Sequence, residues 1–528
     1  MFYKLIHTRI RYIFLFIFIL LLCVIIKVFY IEVISYNKLK SLSDDLYSRN
    51  LPIKADRGKI VDRNGLVLAD NITTTSLVLV PRQIKDKEKV AKDLSDILGT
   101  SYENMLAHVS KKTSIERVHP EGRRLSYETS DKINALNYDG VYLLKESKRY
   151  YPYKELLSHT LGYVGIDNQG LSGLELIYDE YLKGEDGSIK YFSDGKGNRL
   201  EMAQVYENPT DGITIGLTID LNLQKAVEGA LDEIVSKYTP EHALILAMDP
   251  QSGEILAMGS RPGFDPNNYK EYDTQTINRN LPIWMTYEPG STFKIITLAS
   301  SIEEKTIDLF KDTFTDSGSI NVEGATLHCW KHGGHGTQTY LEVVENSCNP
   351  GFVSMGQKLG TQKLMSYIKS FGFGKKTGID LNGESNGILF NINKMGPVET
   401  ATTAFGQGIS VTPIQQITAV SAVVNGGNLY KPYIVKSLMN ESGALLDYNE
   451  KVLVKKVISK DTSSLVRFTL ESVVANGTGR NAYIENYRVG GKTGTAQKVV
   501  DGKYSSSSYI LSFVGFMPAD NPKIVIYV

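Results

Sequence analysis

A chain of 528 residues is too long for one ordinary domain, and two or three are expected. Lys plus Arg balance Asp plus Glu at 58 each, so no basic excess points to nucleic acid. Three cysteines, Cys23, Cys329 and Cys348, are too few for a disulfide framework.

The N-terminus sets the compartment. Residues 12–26 are an unbroken apolar run, Lys27 interrupts it, and residues 28–31 resume it. As a helix, 12–31 spans about 30 Å, enough to cross a bilayer, and Lys27 near its far end can snorkel to the interface. Lys4, Arg9 and Arg11 precede the run. This predicts a cytoplasmic tail at 1–11, a single-pass anchor at 12–31 and an extracytoplasmic remainder. The rival, a cleaved signal peptide, lacks a small-x-small site after the run.

Residues 32 to about 50 are charged and apolar by turns and read as a continuation of the helix. Asn64-Gly65 between apolar stretches predicts a hairpin turn. Residues 73–80 read as a strand and 85–135 mostly as helices, with no catalytic constellation among them. Glycines are dense from Gly162 to Gly184, which predicts tight turns in a structural role; the order of residues does not fit a phosphate loop. Residues 185–211 are rich in Gly, Asp, Asn and Lys, and a domain boundary is expected near 205–212. Beyond it come a strand at 214–219, an amphipathic helix at 221–235, and strands at 242–248 and 254–258 joined by a turn at 249–253.

Next is Tyr287-Glu288-Pro289-Gly290-Ser291-Thr292-Phe293-Lys294. Pro289-Gly290 breaks the chain, and an apolar-periodic run starts after it, so Ser291 is expected at a helix start. Lys294, three residues on, shares its helix face, so hydroxyl and amine can meet. A buried lysine of lowered pKa can take the serine proton. One such pair is weak by itself, but Ser347-Cys348-Asn349 and Lys492-Thr493-Gly494-Thr495 follow. S-x-x-K, S-x-N and K-T-G in this order form a known acyl-transfer set. Helical segments dominate to about 425, and strands return at 487–495, 509–517 and 523–528. The fold expected is α/β (α+β), with a central antiparallel sheet flanked by helices.

Residues 327–336, Leu-His-Cys-Trp-Lys-His-Gly-Gly-His-Gly, hold three of the 8 histidines and one cysteine. Cysteine and histidine at short spacing are zinc ligands. A Cys329–Cys348 disulfide and two buried free thiols are the alternatives.

Together these motifs resemble the class B penicillin-binding proteins, membrane-anchored transpeptidases of peptidoglycan synthesis. The likeness runs from the anchor through Arg57-Gly58, Asp62-Arg63-Asn64-Gly65, the 162–184 stretch and the three motifs. It also includes Phe405-Gly406-Gln407-Gly408 with Thr412-Pro413, and Gly491 to Gln497. No segment looks like a fused glycosyltransferase. The resemblance implies an N-terminal pedestal domain of the dimerisation type at 32–208 and a transpeptidase domain at 209–528. The family ordinarily continues past residue 528 with a covering helix, which implies a truncated C-terminus.

It also implies roles. Ser291 would be the nucleophile on the D-Ala-D-Ala end of a stem peptide and Lys294 its base. Ser347 would relay a proton, Asn349 would hold the Lys294 amine and the substrate amide, and Lys492 would supply positive potential. Thr493 and Thr495 would bind the terminal carboxylate, with Gly494 between them letting the substrate lie close. The backbone N–H groups of Ser291 and Thr495 would form the oxyanion hole. β-Lactams would acylate Ser291. No cofactor is required for this chemistry. The ligands of a structural zinc, as in some elongation-type relatives, would be Asp316, Cys329, His335 and Cys348, with His328 or His332 as substitutes for Asp316. The cluster leans towards elongation or sporulation. Expected partners are peptidoglycan stem peptides, β-lactams, the membrane, and a polytopic glycan polymerase with other wall-synthesis proteins. Other functions to weigh are a D,D-carboxypeptidase or β-lactam-hydrolysing relative, and a non-catalytic scaffold or β-lactam sensor.

Overall fold

The structure is a computed structural model that describes residues 2–40, 48–113, 115–193, 199–500 and 503–528. The N-terminal helix Phe2–Phe29 runs on through a wider turn at Tyr30–Ile34. The span Ile6–Ile34 holds an 18-residue window of mean hydropathy 3.0, and it is long and apolar enough to cross a membrane. The helix expected over 32–50 stops short. Residues 36–40 are helical, 41–47 lie outside the described residues, and Ser48–Ile53 is a strand. That strand pairs antiparallel with Gly187–Ser193. It is an edge strand, the place in a sheet where its Pro52 is tolerated.

The chain divides into two compact units. The first holds Met1–Asp56, Thr73–Ser147 and Glu185–Thr210. Its helices are Lys87–Leu98, Tyr102–Ser110 and Tyr127–Ala135. Asp86, Ser101 and Ser126 each cap one by accepting a backbone N–H, so each start is written in the sequence. The core gathers Leu77, Leu79, Leu94, Met105 and Ile133.

The second unit holds Arg57–Ile72, Lys148–Gly184 and Asp211–Val528. Asn64-Gly65 makes the expected turn: Gly65 has φ +85° and Asp62 accepts the N–H groups of Asn64 and Leu66. Arg57 and Arg149 converge on Glu175, buried within the glycine-dense stretch, at 2.5 and 2.7 Å. Glu175 is fully buried, and burial alone would raise its pKa, but the two guanidinium groups hold it below its ordinary value. Breaking such a pair leaves an uncompensated buried charge.

The centre of this unit is a five-stranded antiparallel sheet in the order Ile255–Arg261, Ala243–Met248, Ile524–Tyr527, Lys503–Met517, Gly490–Val500. Side chains alternate between its faces. Leu246 and Met248 join the large core with the helices Lys294–Glu303 and Pro413–Val424. Ile245 and Ala247 meet Val227 and Leu231 of the helix Leu221–Tyr238 in a separate core. Every residue of Pro413–Val424 is buried, and Thr412 starts it with a capping box to Gln415. This is the mixed fold with a helix-flanked sheet that the sequence implies.

The helical reading of the region before 425 needs one correction. Four short strands interrupt it, Thr313–Asp316 paired with Gly336–Thr339 and Ser319–Val322 paired with Ala325–His328. Each has four residues, too few to show a period-2 pattern, and the turns at Gly318 and Gly324 are the local signal for them.

Candidate active site

Ser291 sits in a 3-10 turn, Gly290–Thr292, and the α-helix Lys294–Glu303 begins immediately after it. Gly290 has φ +53°, and a Cβ there would lie 3.0 Å from the Thr495 carbonyl oxygen, so glycine lets the turn lie against the strand. Phe405–Gly408 packs on the other side. The Gly406 carbonyl accepts the Gly290 N–H at 3.0 Å, and Glu288 accepts the Gly408 N–H at 2.9 Å. The turn is held from both sides before any substrate arrives.

Lys294 is 1% exposed. Its amine donates to the Ser347 carbonyl at 2.8 Å, Ser347 Oγ at 3.2 Å and Asn349 Oδ1 at 2.7 Å, and lies 5.1 Å over the Phe352 ring. Burial pulls its pKa from 10.5 to about 7. The Ser291–Lys294 hydrogen bond expected from their spacing is not made among the described residues. The three acceptors of the middle motif hold the amine instead.

The middle motif is strained into place. Ser347 has φ +51°, a left-handed conformation unusual for serine. Hydrogen bonds from the Ser347 and Cys348 N–H groups to Val344 and Val343 carbonyls fix it. Cys348 caps the helix Asn349–Leu359, its sulfur accepting from Gly351 N–H at 3.4 Å. Ser347 Oγ therefore meets two amines, since Lys492 donates to it at 2.8 Å. Lys492 is fully buried, and burial with the nearby Lys294 charge pushes its pKa well below the ordinary lysine value.

Lys492 to Thr495 lie on the edge strand Gly490–Val500, paired with Val514 to Leu511. A Cβ on Gly494 would come 2.4 Å from Ser512 Oγ and 3.0 Å from Thr292 Cγ2, so only glycine lets this strand approach the Ser291 turn. A cleft of about 630 Å³ results, the size of a substrate pocket. Ser291, Ser347, Asn349, Thr493 and Thr495 all line it. Sequence reasoning assigned no site role to Trp330, Gln407, Thr478, Gln497 or Tyr509, which line it too. Gln407 had a signal, its place between two glycines beside the Ser291 turn; Thr478 and Tyr509 had none.

Beside the middle motif, the ligand atoms of Asp316, Cys329, His335 and Cys348 lie within 4.8 Å of one another. His335 Nδ1 is 2.8 Å from Asp316 Oδ2 and 3.5 Å from Cys329 Sγ, and Cys348 Sγ is 3.3 Å from Asp316 Oδ2. Both cysteines are buried free thiols, which sets aside the disulfide alternative. His328 and His332 are exposed and outside the cluster. Burial opposes charge on Asp316, but hydrogen bonds from His335, the Gly318 N–H and both thiols hold its pKa at about 2. Burial raises both thiol pKa values.

Residues 243–528 match the penicillin-binding protein transpeptidase domain, and residues 52–217 match the penicillin-binding protein dimerisation domain. Stage V sporulation protein D of Bacillus subtilis is 53% identical over 99% of this chain and 81% of its own length. A probable peptidoglycan D,D-transpeptidase PenA of Neisseria gonorrhoeae is 28% identical over 98% of this chain and 87% of its own. Among solved structures, penicillin-binding protein 2X of Streptococcus thermophilus superposes with a TM-score of 0.74 at 25% identity, covering 91% of this chain and 76% of that one. Penicillin-binding protein 3 of Mycobacterium tuberculosis in complex with aztreonam gives 0.70 at 26% identity, covering 90% of each chain. A dimerisation module followed by a transpeptidase module, the two matched over most of the chain, is the class B arrangement, and this chain belongs to the class B penicillin-binding proteins.

Proposed function

We propose that the chain is a serine-type peptidoglycan D,D-transpeptidase. The observation that carries this reading is the Lys294 amine, buried, of pKa about 7, and hydrogen-bonded to Ser347 and Asn349 in the cleft that Ser291 lines. An amine of that pKa is substantially neutral near pH 7 and can act as a base.

Ser291 Oγ attacks the carbonyl carbon of the penultimate D-Ala while Lys294 takes its proton. The oxyanion is held by the backbone N–H groups of Ser291 and Thr495; one such donor is worth about a hundredfold or more in rate. The C–N bond then breaks. The terminal D-Ala amine leaves with a proton passed from Lys294 through Ser347 Oγ, which lies within hydrogen-bond reach of both Lys294 and Lys492. Thr493 and Thr495 hydroxyls, with the Lys492 charge, hold the D-Ala carboxylate. In the second half, an amine of another stem peptide attacks the Ser291 ester, gives up a proton to the same relay, and displaces Ser291 Oγ, which regains its own. Asn349 keeps the Lys294 amine in place throughout.

Relatives from Neisseria gonorrhoeae and Mesostigma viride, named as a probable peptidoglycan D,D-transpeptidase and a homologue of one, support the reaction class. Complexes of the Mycobacterium tuberculosis neighbour with aztreonam and ampicillin support β-lactam binding by this chain. We place the N-terminal helix across the cytoplasmic membrane with residues 1–11 inside, on the strength of Lys4, Arg9 and Arg11. The region 32–208 is read as the pedestal and as the docking surface for wall-synthesis partners, and 209–528 as the catalytic domain.

The donor set Asp316, Cys329, His335 and Cys348 fits a tetrahedral zinc: two sulfurs, one imidazole nitrogen and one carboxylate, mutually close, with His335 partly exposed and the other three buried. Four protein ligands leave no open position, so bound zinc would be structural. Through Cys348 these residues would fix Ser347 and Asn349, its two neighbours in sequence.

Intact-mass spectrometry of the full chain in detergent, after incubation with a penicillin, tests the proposal. One penicillin adduct per chain, absent in Ser291→Ala, is expected. A chain that consumes penicillin without retaining it would make it a hydrolase, and a chain that neither reacts nor consumes it would be a scaffold.

A further inference from the structure

Among the residues that line the Ser291 cleft, Trp330 is 61% exposed, yet it is held in place. Its indole N–H donates to the Asn346 carbonyl at 2.8 Å. Its ring centroid lies 5.4 Å from that of His335, at an interplanar angle of 62°. Asn346 directly precedes Ser347. At the other end of the middle motif, Asn349 Nδ2 donates to the His328 carbonyl at 3.1 Å. The segment 328–330 is therefore tied to the middle motif at both ends, and the indole stands on the Ser347 wall of the cleft. An exposed aromatic fixed by its polar edge leaves most of its surface open for a ligand.

On the transpeptidase reading, the second half of the reaction brings an alkyl amine to the Ser291 ester. Such an amine, with a pKa of about 10, arrives at neutral pH as an ammonium. It must come close to Ser347 Oγ, where the Lys294 and Lys492 amines already converge at 3.2 and 2.8 Å. None of the described residues that line the cleft is a carboxylate, so no opposite charge in its wall meets the newcomer. What the cleft offers a cation is aromatic faces, and three rings line it: Trp330, Phe405 and Tyr509. Phe405 is only 6% exposed. Tyr509 pairs with Gln497, on the strand of Thr493 and Thr495 and so on the carboxylate side. Trp330 is the ring beside Ser347, and indole attracts an ammonium most strongly of the three.

We propose that the indole of Trp330 binds the acceptor amine as its ammonium, and so sets the choice between a second stem peptide and water. The ammonium gives one proton to water and attacks the ester as the free amine. Its second proton passes through Ser347 Oγ to Ser291 Oγ as the ester C–O bond breaks.

The test gives the full chain in detergent a peptide ending in D-Ala-D-Ala and a varied amount of an amine-bearing peptide. Joined and hydrolysed products are counted together. Two unreactive probes compete: the amine peptide with its nitrogen trimethylated, and the same peptide with a neutral tert-butyl group in that place. In the parent chain the trimethylammonium probe should suppress joining at about tenfold lower concentration than the tert-butyl probe. In Trp330→Leu the acceptor concentration that joins half of the product should rise about tenfold, and the two probes should become equal. Trp330→Phe keeps a π face and should fall between. The ratio of joined to hydrolysed peptide does not depend on how fast the acyl-enzyme forms, so a variant slowed in acylation still reports on the acceptor. Equal potency of the two probes in the parent chain, or a Trp330→Leu chain with the parent's acceptor requirement, overturns the proposal. A parent chain that joins no peptide overturns the transpeptidase reading itself, a failure visible without either probe.

Discussion

Acylation of Ser291 should follow the protonation of Lys294. The Lys294 amine is held by three acceptors and buried almost completely. The fall of its pKa from 10.5 to about 7 corresponds to about 5 kcal/mol of disfavoured ammonium. Only the free amine can take the Ser291 proton. At pH 5 about 1% of it is free, at pH 7 about half, and above pH 8 nearly all. Acylation should therefore rise about a hundredfold from pH 5 to a plateau above pH 8, with its midpoint near 7. An ordinary exposed lysine would instead leave the rate climbing towards pH 10. The assay is the second-order rate of labelling of the full chain by a fluorescent penicillin, at constant ionic strength from pH 5 to 9. Lys294→Arg keeps a charge that does not dissociate and should lose roughly a hundredfold or more at the plateau. A flat profile in the parent chain, or a rate still rising tenfold per pH step at pH 9, would refute the role given to Lys294.

Three further outcomes are expected. Arg57→Ala leaves Glu175 with one of its two guanidinium partners and should destabilise its unit by about 3–5 kcal/mol, read as a lowered thermal midpoint. Gly406→Ala would put a Cβ 2.2 Å from the Gly290 carbonyl oxygen and 2.8 Å from Phe293 Cβ. It should displace the Ser291 turn and slow acylation at least tenfold, while far-UV circular dichroism stays at the parent level. Native mass spectrometry should report one zinc per chain, lost in Cys348→Ser and on treatment with a strong chelator. The zinc-free chain should be acylated several-fold more slowly, because Ser347 and Asn349 lose their anchor.

The candidate site was legible because its chemistry is written in short motifs. Ser291, Lys294, Ser347, Asn349 and Lys492 are each set by residue type and local turn; the structure brings Ser291, Ser347 and Asn349 to one cleft, with the buried Lys294 and Lys492 both bonded to Ser347 Oγ. Asp316, Cys329, His335 and Cys348 likewise converge although 32 positions separate the first from the last. What was not legible depends on tertiary contact. The φ of +51° at Ser347 is imposed by the two lysines and the Val343 and Val344 carbonyls, and no local residue announces it. The strand Ser48–Ile53 contains a proline and alternates poorly, and its partner lies more than 130 residues away. The Ser291–Lys294 hydrogen bond inferred from helical spacing is not made among the described residues, because the Ser347 carbonyl, Ser347 Oγ and Asn349 Oδ1 take the amine. In the sheet, by contrast, the continuous apolar run Ile245, Leu246, Ala247 and Met248 announces a strand buried on both faces, and the two cores it joins come only from the fold.

The most direct test of the transpeptidase account is a chemical balance on substrate. The full chain in detergent would be given a synthetic stem peptide ending in D-Ala-D-Ala, together with a second peptide carrying a free amine. Released D-Ala and joined peptide would be counted in the same sample. The account predicts one joined peptide for each D-Ala released, with both lost in Ser291→Ala and after penicillin treatment. Release of D-Ala with water as the sole acceptor, or joining that survives Ser291→Ala, would contradict it.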